Sequence, residues 1–446
     1  MQRAAQVRGR SRVRWWVAGL MWAAIAINYI DRTVLSAAAP RIQSEFHLSA
    51  VEMGVVMSAF FWSYALLQLP AGLLADRFGQ KKVLGFAVLW WSIATAVTGF
   101  ASGFRSLVAL RIALGIGEAG AYPSNAGIAS RWFPRHERAT VAGIFDSGSK
   151  LGGAIALPLI AAMLAAFDWK ITFALTGLLG VVWFVVWKFS FSDSPRDHKW
   201  VNAEELAHIQ NGQAAQTLER SARPQWRKLL AHRNIWAMCI GFFMINYNSY
   251  FFITWLPTYL VKARGMTMME MGWMASLPLL TSIIVEILAG WASDRVYASG
   301  KLSLTATRKL FLVVGLVMAS SIGFAAFADS AAMAVLLLCI AKSGTTVAAS
   351  QVWALPGDVA PPNAVSMVAG VQNTVSNIGG VVGPIVTGAI VGATGSFVPA
   401  LVFSSVLIGI AILNYLFLLG KVEPIRFDSH PAESLIHEQR SADLST

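Results

Sequence analysis

Four charged residues stand inside otherwise apolar stretches of this chain: Asp31 and Arg32 in the first, Arg111 and Glu118 in the fourth. Charges at membrane depth are costly and mark ion or substrate paths. Two acids and two arginines at similar depths suit a site that binds an anion and handles a proton. Arginine presents a planar, permanently charged fork that matches a carboxylate. Each acid can take up a proton, and engagement or withdrawal of a nearby arginine changes how readily it does so. Coupling follows if a half-loaded site keeps an unpaired charge that resists closure. The alternative is one buried ion-pair network that only orients helices, which in lipid is costly and rarely needed.

The elements that must hold these residues are long and apolar. Hydrophobic residues make up 56% of the chain and charged residues 13%, too apolar for a soluble globular protein. A membrane-crossing helix needs roughly 20 mostly apolar residues. Twelve such stretches are read at 15–38, 51–75, 83–103, 105–129, 139–165, 170–191, 234–259, 270–293, 309–328, 331–355, 363–392 and 396–419. They predict an all-α membrane protein of twelve transmembrane helices in two six-helix bundles. The expected parts are a tail 1–14, a first bundle 15–191, a polar linker 192–233, a second bundle 234–419 and a tail 420–446.

Basic residues crowd one side: Arg3 to Arg14 before the first span, Arg77, Lys81 and Lys82 after the second, Arg131, Arg135 and Arg138 after the fourth. The positive-inside rule then puts both termini and the linker in the cytoplasm. The net charge of +12 follows mostly from that topology, with some attraction to anionic head groups, and nucleic acid is not expected as a partner. The first run is too long for a signal peptide and carries Asp31-Arg32, so it is expected to be retained. Cys239 and Cys339 both fall in apolar spans, without disulfide or metal-ligand spacing. There is no catalytic constellation or phosphate-binding loop, so neither an enzyme, a metal nor a cofactor is expected beyond the proton as coupling ion.

Depth along the helices brings the charges together. Asp31 lies roughly 10 Å below the outer end of span one, and Arg111 roughly 9 Å below that of span four. An Asp31–Arg111 pair is therefore expected, with Glu118 two turns deeper on nearly the same face. Arg32 points about 100° away from Asp31 and is expected to face a cavity.

The halves echo each other. Gly72-Leu-Leu-Ala-Asp76-Arg77-Phe-Gly79-Gln-Lys81-Lys82 ends span two, and Gly290-Trp-Ala-Ser-Asp294-Arg295 ends span eight, about half a chain later. The first segment resembles the cytoplasmic loop motif of the major facilitator superfamily, a resemblance that covers essentially the whole chain. Many secondary transporters are built from such repeats, with the substrate site between them. Asp76, near a helix end, can accept hydrogen bonds from arginines and a helix N-terminus. Gly72, Asp76, Arg77 and Gly79, with Asp294 and Arg295, thus form an expected gating motif; a plain loop salt bridge is the alternative.

A narrower resemblance follows from Asn28-Tyr29-Ile30-Asp31-Arg32, Arg111, and Glu118-Ala-Gly-Ala-Tyr122-Pro123, with Phe61-Trp-Ser-Tyr64, Tyr250 to Tyr259 and Val371-Gln-Asn373. Together these are similar to the anion:cation symporter family, which includes carriers of galactonate, glucarate, hexuronates and phthalate, and of sialic acid and glutamate in animals. The resemblance implies arginine to substrate and acids to protons: Arg32 for substrate, Asp31, Glu118 and Arg111 for proton coupling. It also implies substrate contacts from Tyr29, Tyr64, Ser350, Trp353 and Asn373, with Gln372 pointing elsewhere. Packing or an interface belt is an equal reading of the aromatic residues.

Two features depart from the sugar-acid pattern. Asp146, Ser149 and Lys150 cluster in span five, and Lys342 stands near the middle of span ten. Asp146 and Lys150 are expected to pair at i,i+4. If Lys150 or Lys342 faces the cavity, a second anionic group fits, favouring a dicarboxylate such as glucarate, tartrate or phthalate. Glu286 in span eight has no evident partner. Gly115, Gly117, Gly120, Gly148, Gly152 and Gly153 allow close helix approach, and Pro123 and Pro384 permit kinks.

The expectation is a proton-coupled importer of a small organic anion, a sugar acid such as a hexuronate, aldonate or glucarate, working by alternating access. It would act as a monomer in the lipid bilayer, with the anion and protons as partners. A short first loop without an Asn-X-Ser/Thr site favours a bacterial cytoplasmic membrane. A carrier of an aromatic or dicarboxylic acid, a proton-driven drug exporter, and a sensor or channel on the same scaffold are the alternatives. Arg32 and Arg111 argue against the exporter.

Overall fold

The computed structural model describes residues 11–134, 137–210, 229–361 and 365–425, without the side chains of Leu69, Asp76, 138–140, Asp294 and 365–367. The first half comprises α1 (Val13–Glu45), α2 (Ala50–Phe78), α3 (Gln80–Thr98), α4 (Phe104–Glu118), α5 (Ala121–Trp132), α6 (Arg138–Ala166) and α7 (Trp169–Ser190). A short α8 (Ala203–Gln210) lies in the connector. The second half comprises α9 (Arg233–Thr254), α10 (Leu256–Lys262), α11 (Met268–Ala298), α12 (Leu304–Ala319), α13 (Ser321–Ala325), α14 (Ala331–Val359), α15 (Val365–Thr394) and α16 (Val398–Leu413). Among the described residues, 9 helical stretches are long and apolar enough to cross a membrane. The helix α3 and the split pairs α4–α5 and α9–α10 complete the twelve.

The splits have a local cause. Span four was expected as one helix, but α4 ends at Glu118 and α5 starts at Ala121. Pro123 has no N–H to return to Ala119, so the chain turns there, with Ala119 N–H bonded to the Gly115 carbonyl at 3.2 Å. Pro257 likewise divides α9 from α10. Pro384 lies inside α15 without ending it, and its carbonyl accepts the Trp255 indole N–H at 3.1 Å.

Packing repeats between the halves. In the first, α1 packs on α6, α3 on α7 and α2 on α4; in the second, α9 packs on α15, α12 on α16 and α11 on α14. The bundles meet where α2 packs on α15 and α6 on α11, contacts that exchange under the same half-chain repeat. At the end away from the termini, one buried core joins both bundles, with Leu35, Met57 and Leu157 in the same cluster as Phe252, Trp255 and Leu338. Toward the terminal end the cores separate, one around Val17, Trp91 and Trp187, the other around Met238, Leu316 and Tyr415. The bundles are thus sealed together at one end and parted at the other.

The described start of the connector, up to Gln210, docks on the first bundle. Glu205 on α8 is fully buried and accepts the backbone N–H groups of Val13 and Arg14, each at 3.1 Å. It thereby satisfies the open donors of the first turn of α1 and complements its dipole. Arg14 pairs with Glu205 at 3.0 Å and with Glu137 at 2.9 Å.

Candidate functional site

Between the parted bundles lies a cavity of about 660 Å³, lined from both halves. A smaller compartment of about 190 Å³ adjoins it toward the sealed end, lined by Thr33, Ser36, Ser149, Lys150, Lys342 and Thr346 among others. Helical phase decides which face of α1 contributes. Tyr29, Arg32, Thr33 and Ser36 follow the i, i+3, i+4, i+7 spacing of one face and line the two spaces. Asn28 and Asp31 turn into the first bundle and are buried.

Arg32 is the most elaborately held group at the cavity wall. Its Nε donates to Glu118 Oε2 at 2.6 Å. Its guanidinium lies 4.8, 4.5 and 4.6 Å from the ring centres of Tyr29, Phe60 and Tyr64. Such aromatic faces favour a desolvated cation. One guanidinium nitrogen, Nη2, and the second Glu118 oxygen are buried without a hydrogen-bond partner.

This corrects the expected pairing. Asp31 and Arg111 are within electrostatic range of each other, but they do not form the expected close pair. Both Asp31 carboxylate oxygens and the Arg111 Nε are buried without a partner, and the Arg111 guanidinium sits 5.1 Å from the Phe60 ring centre. Depth along a helix does not determine rotation about it. Asp31 is short and points toward Trp91 and Thr95 on α3, whereas the long stem of Arg32 reaches Glu118 at the end of α4.

The two lysines both line the cavity. Lys150 Nζ lies 2.6 Å from Glu286 Oε2 and 3.8 Å from Asp146 Oδ2. The expected i,i+4 pair is therefore the looser contact, and Glu286 gains a partner from the other bundle because α6 packs directly on α11. Asp146 also accepts the Tyr122 hydroxyl at 3.2 Å. Lys342 Nζ is 3.5 Å from Ser249 Oγ and 5.6 Å from the Phe252 ring centre.

The sequence profile of the Major Facilitator Superfamily matches residues 21–384. The chain belongs to that superfamily. It is 35% identical over 444 residues to a probable galactarate/D-glucarate transporter of Bacillus subtilis, covering 96% of this chain and 97% of that one. It is 34% identical to a D-galactonate transporter of Escherichia coli (93% and 97% covered) and 33% identical to a hexuronate transporter of Bacillus subtilis (90% and 92%). In fold it matches a bacterial homologue of the human lysosomal transporter Spinster, with a TM-score of 0.77 at 19% identity over 92% of this chain and 97% of that one. It is a multi-pass membrane transporter and not an enzyme.

The superfamily loop motif has a specific geometry here. Gly79 separates α2 from α3 at φ +89°, a conformation that favours glycine. Asp193, which sequence reasoning missed, accepts the Lys81 N–H at 2.7 Å beside it. Arg77 and Arg295 are exposed and lie 5.3 Å from the rings of Phe78 and Trp291, each on its own helix. Gly72 packs against Pro123. The Asp76 and Asp294 side chains lie outside those described.

Of the other expected contacts, Tyr29, Tyr64, Trp353 and Asn373 line the cavity, and Gln372 turns away to the Val352 carbonyl at 3.1 Å. Ser350 is a correction. Thr345, Thr346, Ala349 and Trp353 hold the cavity face of α14, one helical step from Ser350, whose hydroxyl donates to the Val347 carbonyl at 2.8 Å. Asn246, Ser249 and Asn377 also line the cavity and were not singled out, and Tyr250, named only within a resembling segment, lines it too. Their signal was available: polar residues at i, i+3, i+4 on an apolar helix, and Asn377 four residues after Asn373.

Proposed function

We propose that this transporter imports a sugar acid together with protons, by alternating access of its two bundles. The observation that carries this reading is the Arg32–Glu118 contact at the cavity wall, 2.6 Å long with one guanidinium nitrogen unfilled. A substrate carboxylate can take over Arg32, and the released Glu118 then takes up a proton instead of remaining an unpaired buried charge. Asp31, with both oxygens unpartnered, is the second proton site, biased by Arg111. Anion and protons together leave the loaded site nearly neutral, and that neutrality lets it close.

Hydroxyls and amides from Tyr29, Asn246, Ser249 and Asn373 around the cavity suit a polyhydroxylated acid. The names of the relatives, galactarate/D-glucarate, D-galactonate and hexuronate transporters, support the substrate class. The basic residues at the terminal end support both termini being cytoplasmic, in a bacterial cytoplasmic membrane. In that orientation the cavity between the parted bundles opens inward. The protein acts as a monomer, and Gly72 to Gly79 and Asp294-Arg295 gate the terminal end.

The test is uptake by purified protein in liposomes with an inward proton gradient, offered galactonate, glucuronate, galacturonate, glucarate, tartrate and phthalate in turn. Uphill uptake of a sugar acid is expected, abolished by a protonophore and by Arg32→Ala. Saturating uptake that ignores the gradient overturns the proton coupling, and non-saturating flux indicates a channel. Efflux of cationic dyes with no acid uptake replaces the reading with an exporter.

A further inference from the structure

The charges lining the cavity are not evenly matched. Arg32 has Glu118, and Lys150 has Glu286 with Asp146 behind it. Lys342 has no carboxylate within ion-pair distance among the described residues; its contacts are the Ser249 hydroxyl at 3.5 Å and the face of Phe252. It also lines both the main cavity and the smaller compartment. Glu286 lies within electrostatic range but is held by Lys150 at 2.6 Å, and an ammonium between apolar helices with no close counter-charge of its own is costly. What the position does supply is a cation on the second bundle, facing a cavity whose proposed carboxylate-binding arginine, Arg32, belongs to the first.

We propose that Lys342 receives the second carboxylate of a diacid substrate, whose first carboxylate engages Arg32. This rests on the sugar-acid reading above and narrows it to aldaric acids and similar dicarboxylates. Ser149, Ser282 and Thr346 line the compartment beside Lys342 and supply hydroxyls for the distal end of the ligand. A diacid so held contacts both bundles at once, whereas a monoacid of the same length ends in a hydroxyl and leaves the ammonium uncompensated. Lys150 is not available for this role while Glu286 holds it at 2.6 Å. Lys342 is thus a specificity residue: it selects for a charge at the far end of the substrate.

The experiment compares galactarate with galactonate, which differ by a carboxylate against a hydroxymethyl at one end. In liposomes with an inward proton gradient, the wild-type ratio of kcat/KM for galactarate over galactonate is expected to be about tenfold or more. Lys342→Gln is expected to lower that ratio about tenfold or more, to near one or below, and Lys342→Arg to preserve most of it. As a measurement that needs no variant, unlabelled galactarate should compete with labelled galactonate at about a tenth of the concentration that unlabelled galactonate requires. A ratio near one in the wild type, or a loss in Lys342→Gln that is equal for both acids, overturns the second subsite and leaves the sugar-acid reading standing. No uptake by the wild type of these two acids or of any other sugar acid in the panel above overturns both.

Discussion

Lys150 on α6 and Glu286 on α11 meet at 2.6 Å across the boundary between the bundles. Neither side chain is deeply buried (35% and 30% exposed), so the contact is worth less than a fully desolvated pair. Its importance is positional, because it ties the two helices that carry one of the main inter-bundle contacts. Glu286→Gln should leave Lys150 with Asp146 alone, and Lys150→Gln should leave Glu286 unpaired. We expect each single change to slow uptake more than the double change Lys150→Gln/Glu286→Gln, with a coupling of about 1 kcal/mol. Uptake rates and thermal unfolding in detergent read this cycle; strictly additive effects would show that the two residues act independently.

Arg32 needs its shape as well as its charge. Its guanidinium engages Glu118 along one edge while three aromatic rings hold its plane. A lysine there keeps the charge and loses the second donor edge and the stacking. Arg32→Lys should therefore raise KM strongly, with kcat/KM down by roughly 2–3 kcal/mol, or about a hundredfold. A tryptophan-fluorescence titration with substrate separates this from misfolding, since weakened but saturable binding should persist. Unchanged affinity in that titration would remove Arg32 from the site.

Asp31 presents a different case, because it makes no close ion pair and neither oxygen has a well-formed hydrogen bond, although Trp91 and Thr95 lie beside it. Replacing it by asparagine removes a buried charge but also the longer-range compensation it gives Arg111, so the fold should tolerate Asp31→Asn at a cost of about 1–2 kcal/mol. Transport should divide. Uptake driven by a proton gradient is expected to be lost, while exchange of internal for external substrate at equal pH continues. A variant that still concentrates substrate against its gradient would acquit Asp31 of coupling.

Much of this was legible in the residues. Twelve apolar runs gave the spans, and the loop motif returning half a chain later pointed to two like bundles. Depth placed four charges near one another. What depth could not supply was rotation about each helix and the reach of each side chain. Arg32 and Glu118 are 86 residues apart and pair through a long flexible stem, while the shorter Asp31 turns toward α3. The same reason hid the partner of Glu286, which lies on another bundle and follows from the α6–α11 contact alone. Ser350 sits one helical step from the cavity face of α14. Glu205 stands in a stretch read only as a polar linker, and its burial against α1 is set by a contact 191 residues away.

Glu137 gives that docked connector a pH dependence. Partial burial acts to raise its carboxyl, but hydrogen bonds from Arg14 and His208 outweigh that effect and hold it below the usual carboxylate range. A depressed folded value means that the charged form stabilises the fold. The contribution is complete above the unfolded carboxylate value of about 4.3 and is lost as pH falls through the lower folded value. Acidification below pH about 4.3 should therefore loosen Arg14 and α8 while the spans stay intact. Hydrogen exchange of the 203–210 amides should quicken there, and Glu137→Gln should quicken it already at neutral pH, by the equivalent of about 1–2 kcal/mol. Exchange of those amides that is flat across this range in the wild type would mean that Glu137 does not hold α8 and that contacts such as those of Glu205 with Val13 and Arg14 suffice.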